Sequence, residues 1–328
     1  MATTEASCER PTPKGHTEEE QIPPQTKRQV FCREETLILR WLFGYYDKGN
    51  LPDGTKPPQW PHTLSTWLPQ KPRTRFRAAT LAGIDIDALR EKDRMPIRFH
   101  IGISILHTKD LHSLCHSSSP CANPALENII QSHHWAVEDP NYFANDDNRF
   151  CFGKHRCMPL SSFNDSLEKL LKRFYPLILV CHGISRERIV LRKLGVDLKQ
   201  LFMIDTTKAA RYPLREFHDS TLKKLLKDFD IPWAGELLHF VGNDAHFVLR
   251  TLLIVAVHDA RKELKDVPAW VPVFEAVARA PLPPVTLTQA QKAAIKRREK
   301  RDPVKYAEER AASKARWSNV LRSRTTES

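Results

Sequence analysis

The stretch Leu177-Ile178-Leu179-Val180-Cys181-His182-Gly183-Ile184-Ser185-Arg186-Glu187 decides how the rest of the chain is read. Its apolar run, stopped by a histidine and a glycine, has the form of a buried strand ending in a turn. The following residues, Arg186 to Leu194, carry helical spacing and close on Gly195. A second short apolar run, Leu201-Phe202-Met203-Ile204, ends at Asp205. Then Leu238-His239-Phe240-Val241-Gly242-Asn243-Asp244 leads into a strongly apolar helix from Asp244 to Arg261. Strand, helix, strand and helix in succession predict a sheet covered by helices.

Upstream the pattern differs. Leu81-Ala82-Gly83-Ile84 reads as a short buried strand ending at Asp85-Ile86-Asp87, and Ile97 to Leu106 alternates as a second strand. Within a polar run rich in His and Ser, Leu126 to Val137 reads as a short strand or helix. Phe150-Cys151-Phe152-Gly153 reads as the third strand, so a meander precedes any long helix. A helix begins at Ser161 to Asp165 and runs to about Phe174, with Pro176 marking its end. Another spans Ser220 to Phe229 and stops before Pro232. This order predicts an α/β domain over residues 76–265: an RNase H-like mixed five-stranded sheet, a three-strand meander followed by alternating helix and strand, flanked by helices.

The flanks read differently. Residues 1–30, rich in Pro, Thr, Glu and Lys, are expected to be disordered. Residues 31–75 form an N-terminal arm with an amphipathic helix at Glu34 to Tyr46. Residues 266–288 read as a linker, with an apolar segment at Ala269 to Ala280 followed by Pro281-Leu282-Pro283-Pro284. Residues 289–328 form a basic, helix-prone tail broken at Asp302-Pro303. Of a net charge of +12, +8 lies between Gln289 and Arg324. Such a segment attracts polyanions through counterion release. A solvated helix or a nuclear-localisation patch accounts for it equally well. Trp270, Tyr306 and Trp317 suit base stacking, though single aromatics more often anchor a helix.

Other classes are excluded or disfavoured. Phe247 to Val257 is the longest apolar stretch, and Arg250 interrupts it short of a membrane span. Met1 to Gln29 has no apolar core of a secretory signal. The 7 cysteines are scattered and odd in number, as in a reducing compartment. Cys115/Cys121 and Cys151/Cys157 are too widely spaced for a zinc knuckle, so they read as ordinary thiols. No glycine cluster cradles phosphate and no G-x-S-x-G elbow is present. The expected location is the nucleus, the cytoplasm, or both.

What the chain does offer is acids at strand ends and helix starts: Asp85, Asp87, Glu187 and Asp244, with His239 nearby. Phosphodiester hydrolysis needs developing charge neutralised at both the attacking and the leaving oxygen. Two divalent cations roughly 4 Å apart do this, and Mg²⁺ prefers carboxylate oxygen. A histidine, with its pKa near operating pH, suits removal of a proton from water. Each acid also has a bland reading, since Asp244 favours a helix start by its charge alone. Asp205 and His182 read as structural.

In order, Asp85-x-Asp87, Glu187 and His239-x-x-x-x-Asp244 resemble the motifs of the histidine-containing DEDD 3′–5′ exonucleases. More closely, Ile101-Gly102-Ile103-Ser104-Ile105-Leu106, Leu191-Arg192-Lys193-Leu194-Gly195-Val196-Asp197-Leu198 and Gly242-Asn243-Asp244-Ala245 resemble a fungal family. Its yeast member is named "great for full DEAD-box activity" and is linked to messenger RNA export. The resemblance covers roughly residues 78–262. It implies that Asp85 bridges two Mg²⁺ or Mn²⁺ ions, Asp87, Glu187 and Asp244 complete the metal cage, and His239 is the base. It implies nucleic acid as partner, RNA ahead of DNA, and messenger RNA export proteins as further partners. Asp87 stands where the motif has Glu, and Glu187 where it has Asp. Two functions follow as expectations: a metal-dependent 3′–5′ exonuclease on single-stranded RNA or DNA, or a catalytically degenerate relative serving as an adaptor in messenger RNA metabolism.

Overall fold

The computed structural model describes residues 32–45, 78–117, 124–139, 150–171, 177–198, 201–216 and 218–284. The expectations for residues 1–30, for 46–75 of the arm and for the tail 289–328 lie outside the described residues.

The chain forms one mixed sheet of six strands. In chain order these are β1 (Thr80–Lys92), β2 (Met95–His107), β3 (Gln131–Val137), β4 (Gly153–Met158), β5 (Leu177–Cys181) and β6 (Phe202–Asp205). They lie side by side as β4-β3-β2-β1-β5-β6. The meander β1-β2-β3 is antiparallel, while β4 runs parallel to β3, β5 to β1 and β6 to β5. This is the RNase H-like arrangement, with one more strand than the sequence pattern predicts. The third strand of the meander is Gln131–Val137, not Phe150–Gly153. Phe150 does not pair; its ring packs against His134 and Phe240, and β4 starts only at Gly153. Alternation misleads at β3 because Ser132 and His134 look solvent-facing in sequence yet are buried. Ser132 Oγ is 2.9 Å from His246 Nδ1 and 2.7 Å from Ser104 Oγ, so these polar groups satisfy one another inside the fold.

Helices cover both faces. They are α1 (Glu34–Leu42), α2 (Thr108–Cys115), α3 (Phe163–Leu171), α4 (Ser185–Lys193), α5 (Thr206–Leu214), α6 (Leu222–Asp228), α7 (Val241–Glu263) and α8 (Val271–Ala278). The even-numbered apolar residues of β1, Ala82, Ile84 and Ile86, face α3 and α4 with Phe163, Leu167, Val190 and Leu191. Leu81 faces the opposite way, toward α7. The period of two in a strand therefore sends Asp85 and Asp87 to the α7 side.

α7 is buried along nearly its whole length, with α1, α5, α6 and α8 around it. It lies hard against the meander: a Cβ on Gly83 would meet the Ala245 carbonyl oxygen at 2.5 Å, and one on Gly102 the Val241 oxygen at 1.8 Å. Only glycine permits that approach. Within the stretch read as a linker, α8 packs into the core, where Trp270 lies tilted against Phe43 and Phe274 meets it edge-on. Trp270 is thus an anchor among apolar neighbours. α1 is tied down by Arg40, which donates to Asp259 at 2.7 and 2.9 Å. No helix among the described residues is long and apolar enough to cross a membrane.

Candidate functional site

Asp85 lies on β1 where the strand leaves the cover of α7, partly exposed, with its register partner Gly102 across β2. Directly after Asp87 the pairing slips, and Ala88 adopts φ 52. Bulges of this kind re-aim side chains at sites. Asp87 ends up exposed, its Oδ1 accepting from both terminal nitrogens of Arg186 at 3.3 Å.

Glu187 sits in the first turn of α4 and is buried. What holds that turn is Asp205 at the end of β6. Its carboxylate accepts from the backbone N–H of Gly183 at 3.1 Å and of Ile184 at 3.4 Å, and caps α5 through Thr207 N at 3.0 Å. Asp205 is therefore structural, and its work is to position the loop that carries Glu187. His182 is likewise held, its Nδ1 2.9 Å from Thr206 Oγ1.

Asp244 lies in the first turn of α7 and receives the backbone N–H of His239. The preceding loop is locked by Asn243, whose buried amide donates to the Leu237 carbonyl at 3.0 Å and accepts from Cys151 N at 3.2 Å. His239 is exposed on the rim, in a left-handed conformation at φ 64.

The electrostatics place these acids around Asp85. Burial and then the charge of Asp87 push the Asp85 carboxyl up to about 7, against a smaller opposing pull from Arg186. Burial and then Asp85 push Glu187 up to about 8. Burial and then Asp85 hold Asp244 well above the ordinary carboxylate range. Asp85 is thus felt by both buried acids, though they arrive from different helices. Glu187 Oε2 and Asp244 Oδ1 are buried without a hydrogen-bond partner. A buried unsatisfied carboxyl oxygen is costly, and a cation is the partner that relieves several at once. The donor set is all carboxylate oxygen, which fits Mg²⁺ or Mn²⁺. As they stand, no group of three or more His, Cys, Asp or Glu among the described residues is arranged to hold a metal ion. The fit therefore rests on donor chemistry and on the two unpartnered oxygens.

The structure brings Asp87, Glu187 and Asp244 each within electrostatic reach of Asp85, and leaves His239 exposed beside Asp244. Sequence reasoning missed Arg186, whose cation stands among the acids; its place directly before Glu187 was the available signal. It also missed Asn243, whose signal was an amide beside the acid of a helix start.

Comparison with curated proteins gives no match. Residues 80–255 match the family model described as DNA polymerase III subunit epsilon-like, C-terminal domain. The match starts on the first residue of β1 and ends inside α7, so it takes in every acid of the pocket and His239. It covers more than half of the chain, and its content is a nuclease-like, nucleic-acid-related domain of the DEDDh exonuclease superfamily: the chain belongs to the DNA polymerase III subunit epsilon-like family.

Proposed function

We propose that the protein is a metal-dependent 3′–5′ exonuclease acting on single-stranded nucleic acid, with RNA ahead of DNA as substrate, in the nucleus or cytoplasm. The observation that carries this reading is the pair of unpartnered buried oxygens, Glu187 Oε2 and Asp244 Oδ1, on acids that both feel the charge of Asp85. Asp85, Asp87, Glu187 and Asp244 would hold two Mg²⁺ or Mn²⁺ ions. When bound, such ions neutralise charge at the attacking and leaving oxygens.

The chain's own residues do the rest. Asp85 and Glu187, pushed up to about 7 and about 8, hold protons in part near neutral pH and would release them to serve as ligands of a divalent cation. His239, on the exposed rim, takes the proton of the attacking water on an imidazole nitrogen and passes it to solvent. Asp205 and Asn243 keep the two helix starts in place, so that Glu187 and Asp244 stay directed at Asp85.

A second reading has one observation in its favour. The Arg186 guanidinium already occupies Asp87. A site in which arginine keeps that acid suits an adaptor in messenger RNA export or metabolism that binds nucleic acid without cutting it.

The test uses 3′-labelled and 5′-labelled single-stranded oligonucleotides with Mn²⁺ or with EDTA. Shortening from the 3′ end that needs metal and disappears in Asp85→Asn supports the exonuclease. Tight binding with no shortening in Mn²⁺ or Mg²⁺ sinks it and leaves the adaptor.

A further inference from the structure

β1 and β2 each run to 13 residues, about twice the usual strand length. Beyond Asp87 the hairpin they form leaves the shelter of the helices: of residues 88–95 all but the partly buried Leu89 are exposed. This projecting end is both cationic and apolar. Arg90, Lys92 and Arg94 are exposed, and none is ion-paired to a described residue. The neighbouring acid Glu91 is taken by Lys193 at 2.7 Å. Arg90 stands opposite Arg98 in the register, a like-charge pairing that works against the hairpin. At the tip, Asp93 and Arg94 have φ 51 and 66. That two-residue turn is most easily made with glycine, and here an arginine keeps the apex charged at a steric cost. Met95 and Ile97, 50% and 41% exposed, are two of the three exposed large hydrophobic residues among those described.

An acidic pocket repels the phosphates of the strand it is to receive, so a cationic approach beside it is required. Arg90 lies three positions along the strand from Asp87, roughly 10 Å away, and the tip roughly twice as far. We propose that the hairpin end from Ala88 to Arg98 is a landing platform for single-stranded nucleic acid entering the pocket. Arg90, Lys92 and Arg94 contact phosphates, while Met95 and Ile97 lie against base faces, which accept any sequence. The proposal rests on the nucleic-acid reading of the acidic pocket and not on whether the pocket cuts.

The experiment measures binding of a fluorescent single-stranded oligonucleotide to the full chain by anisotropy, in EDTA, across a salt series. Each phosphate neutralised on a single strand contributes about 0.7 to the slope of log K against log salt. Replacing Arg90, Lys92 and Arg94 together with Ala is expected to lower that slope by about 2, with the basic tail still present. Met95→Ser with Ile97→Ser is expected to weaken binding several-fold at unchanged slope. All these side chains are exposed, and unfolding curves matching the wild type confirm an intact fold. A triple variant that binds with the wild-type slope overturns the platform. Cutting is read separately, from the wild-type chain and 3′-labelled oligonucleotide in Mn²⁺: loss of slope in the triple variant together with a wild-type chain that never cuts leaves the platform standing and sinks the exonuclease.

Discussion

Gly102 of β2 lies under the carbonyl oxygen of Val241, so close that a Cβ there would sit 1.8 Å from it. This contact seats the first turn of α7 on the sheet, and Asp244 in that turn reaches the neighbourhood of Asp85 only because of it. Gly102→Ala is expected to cost about 2–3 kcal/mol, since backbone rather than a pliable side chain must yield. Urea unfolding measures the loss, and a variant as stable as the wild type would show that α7 is not pinned there.

The carboxyl of Asp85 titrates at about 7 in the folded chain, above its ordinary value. The folded state therefore holds the proton more tightly than the unfolded one. The stability this gives is fully present below about pH 4 and is lost as pH rises through about 7. Buried histidines such as His246 and His134 shift the other way and mask the trend. The readout is thus a difference: Asp85→Asn should gain on the wild type from pH 5 to pH 8 in chelator. Thermal unfolding at the two pH values checks this, and a constant gap between the proteins contradicts it.

His239 has an exposed side chain and a left-handed backbone at φ 64. His239→Gly removes the imidazole and relieves the backbone, so stability should hold or rise by up to about 1 kcal/mol. Metal-dependent shortening, by contrast, should fall by about 10²–10⁴-fold if the imidazole moves the proton. Single-turnover rates and melting curves on the same sample separate the two effects. Unchanged rates would remove His239 from the mechanism.

Arg40 and Asp259 form a bidentate pair between α1 and α7, with both side chains buried. Arg40→Met leaves a buried carboxylate uncompensated, with an expected cost of about 3–5 kcal/mol. Adding Asp259→Leu should return most of that, because the pair is replaced by apolar contact. Chemical unfolding of the single and double variants tests it; a double variant no better than the single would mean that the pair itself holds α1.

Much of this layout is legible along the chain. The run Leu177 to Val180 stops at polar residues, and Ala82, Ile84 and Ile86 alternate with Gly83, Asp85 and Asp87, so strands, their buried face and the acids' side could all be read from periodicity. β3 could not, because Ser132 and His134 are buried polar groups on a strand covered on both faces. Ser132 bonds to Ser104 and His246, and the His134 ring packs edge-on against Phe150 and Phe240, partners that local sequence does not reveal. α5 was likewise hidden, since Pro213 within it contradicts helical propensity and only the capping carboxylate of Asp205 and its packing on α7 sustain it.

The order and identity of Asp85, Asp87, Glu187, His239 and Asp244 are properties of the sequence alone, and so is the charge that the pocket must carry. Their state was decided by the tertiary structure. Burial from several directions, not chain position, raises Glu187 and Asp244 and leaves an oxygen of each unpartnered, whereas Asp87, the last residue before the register shifts, stays exposed and meets Arg186. Desolvation depends on what the whole fold places around a group, and no local pattern encodes that.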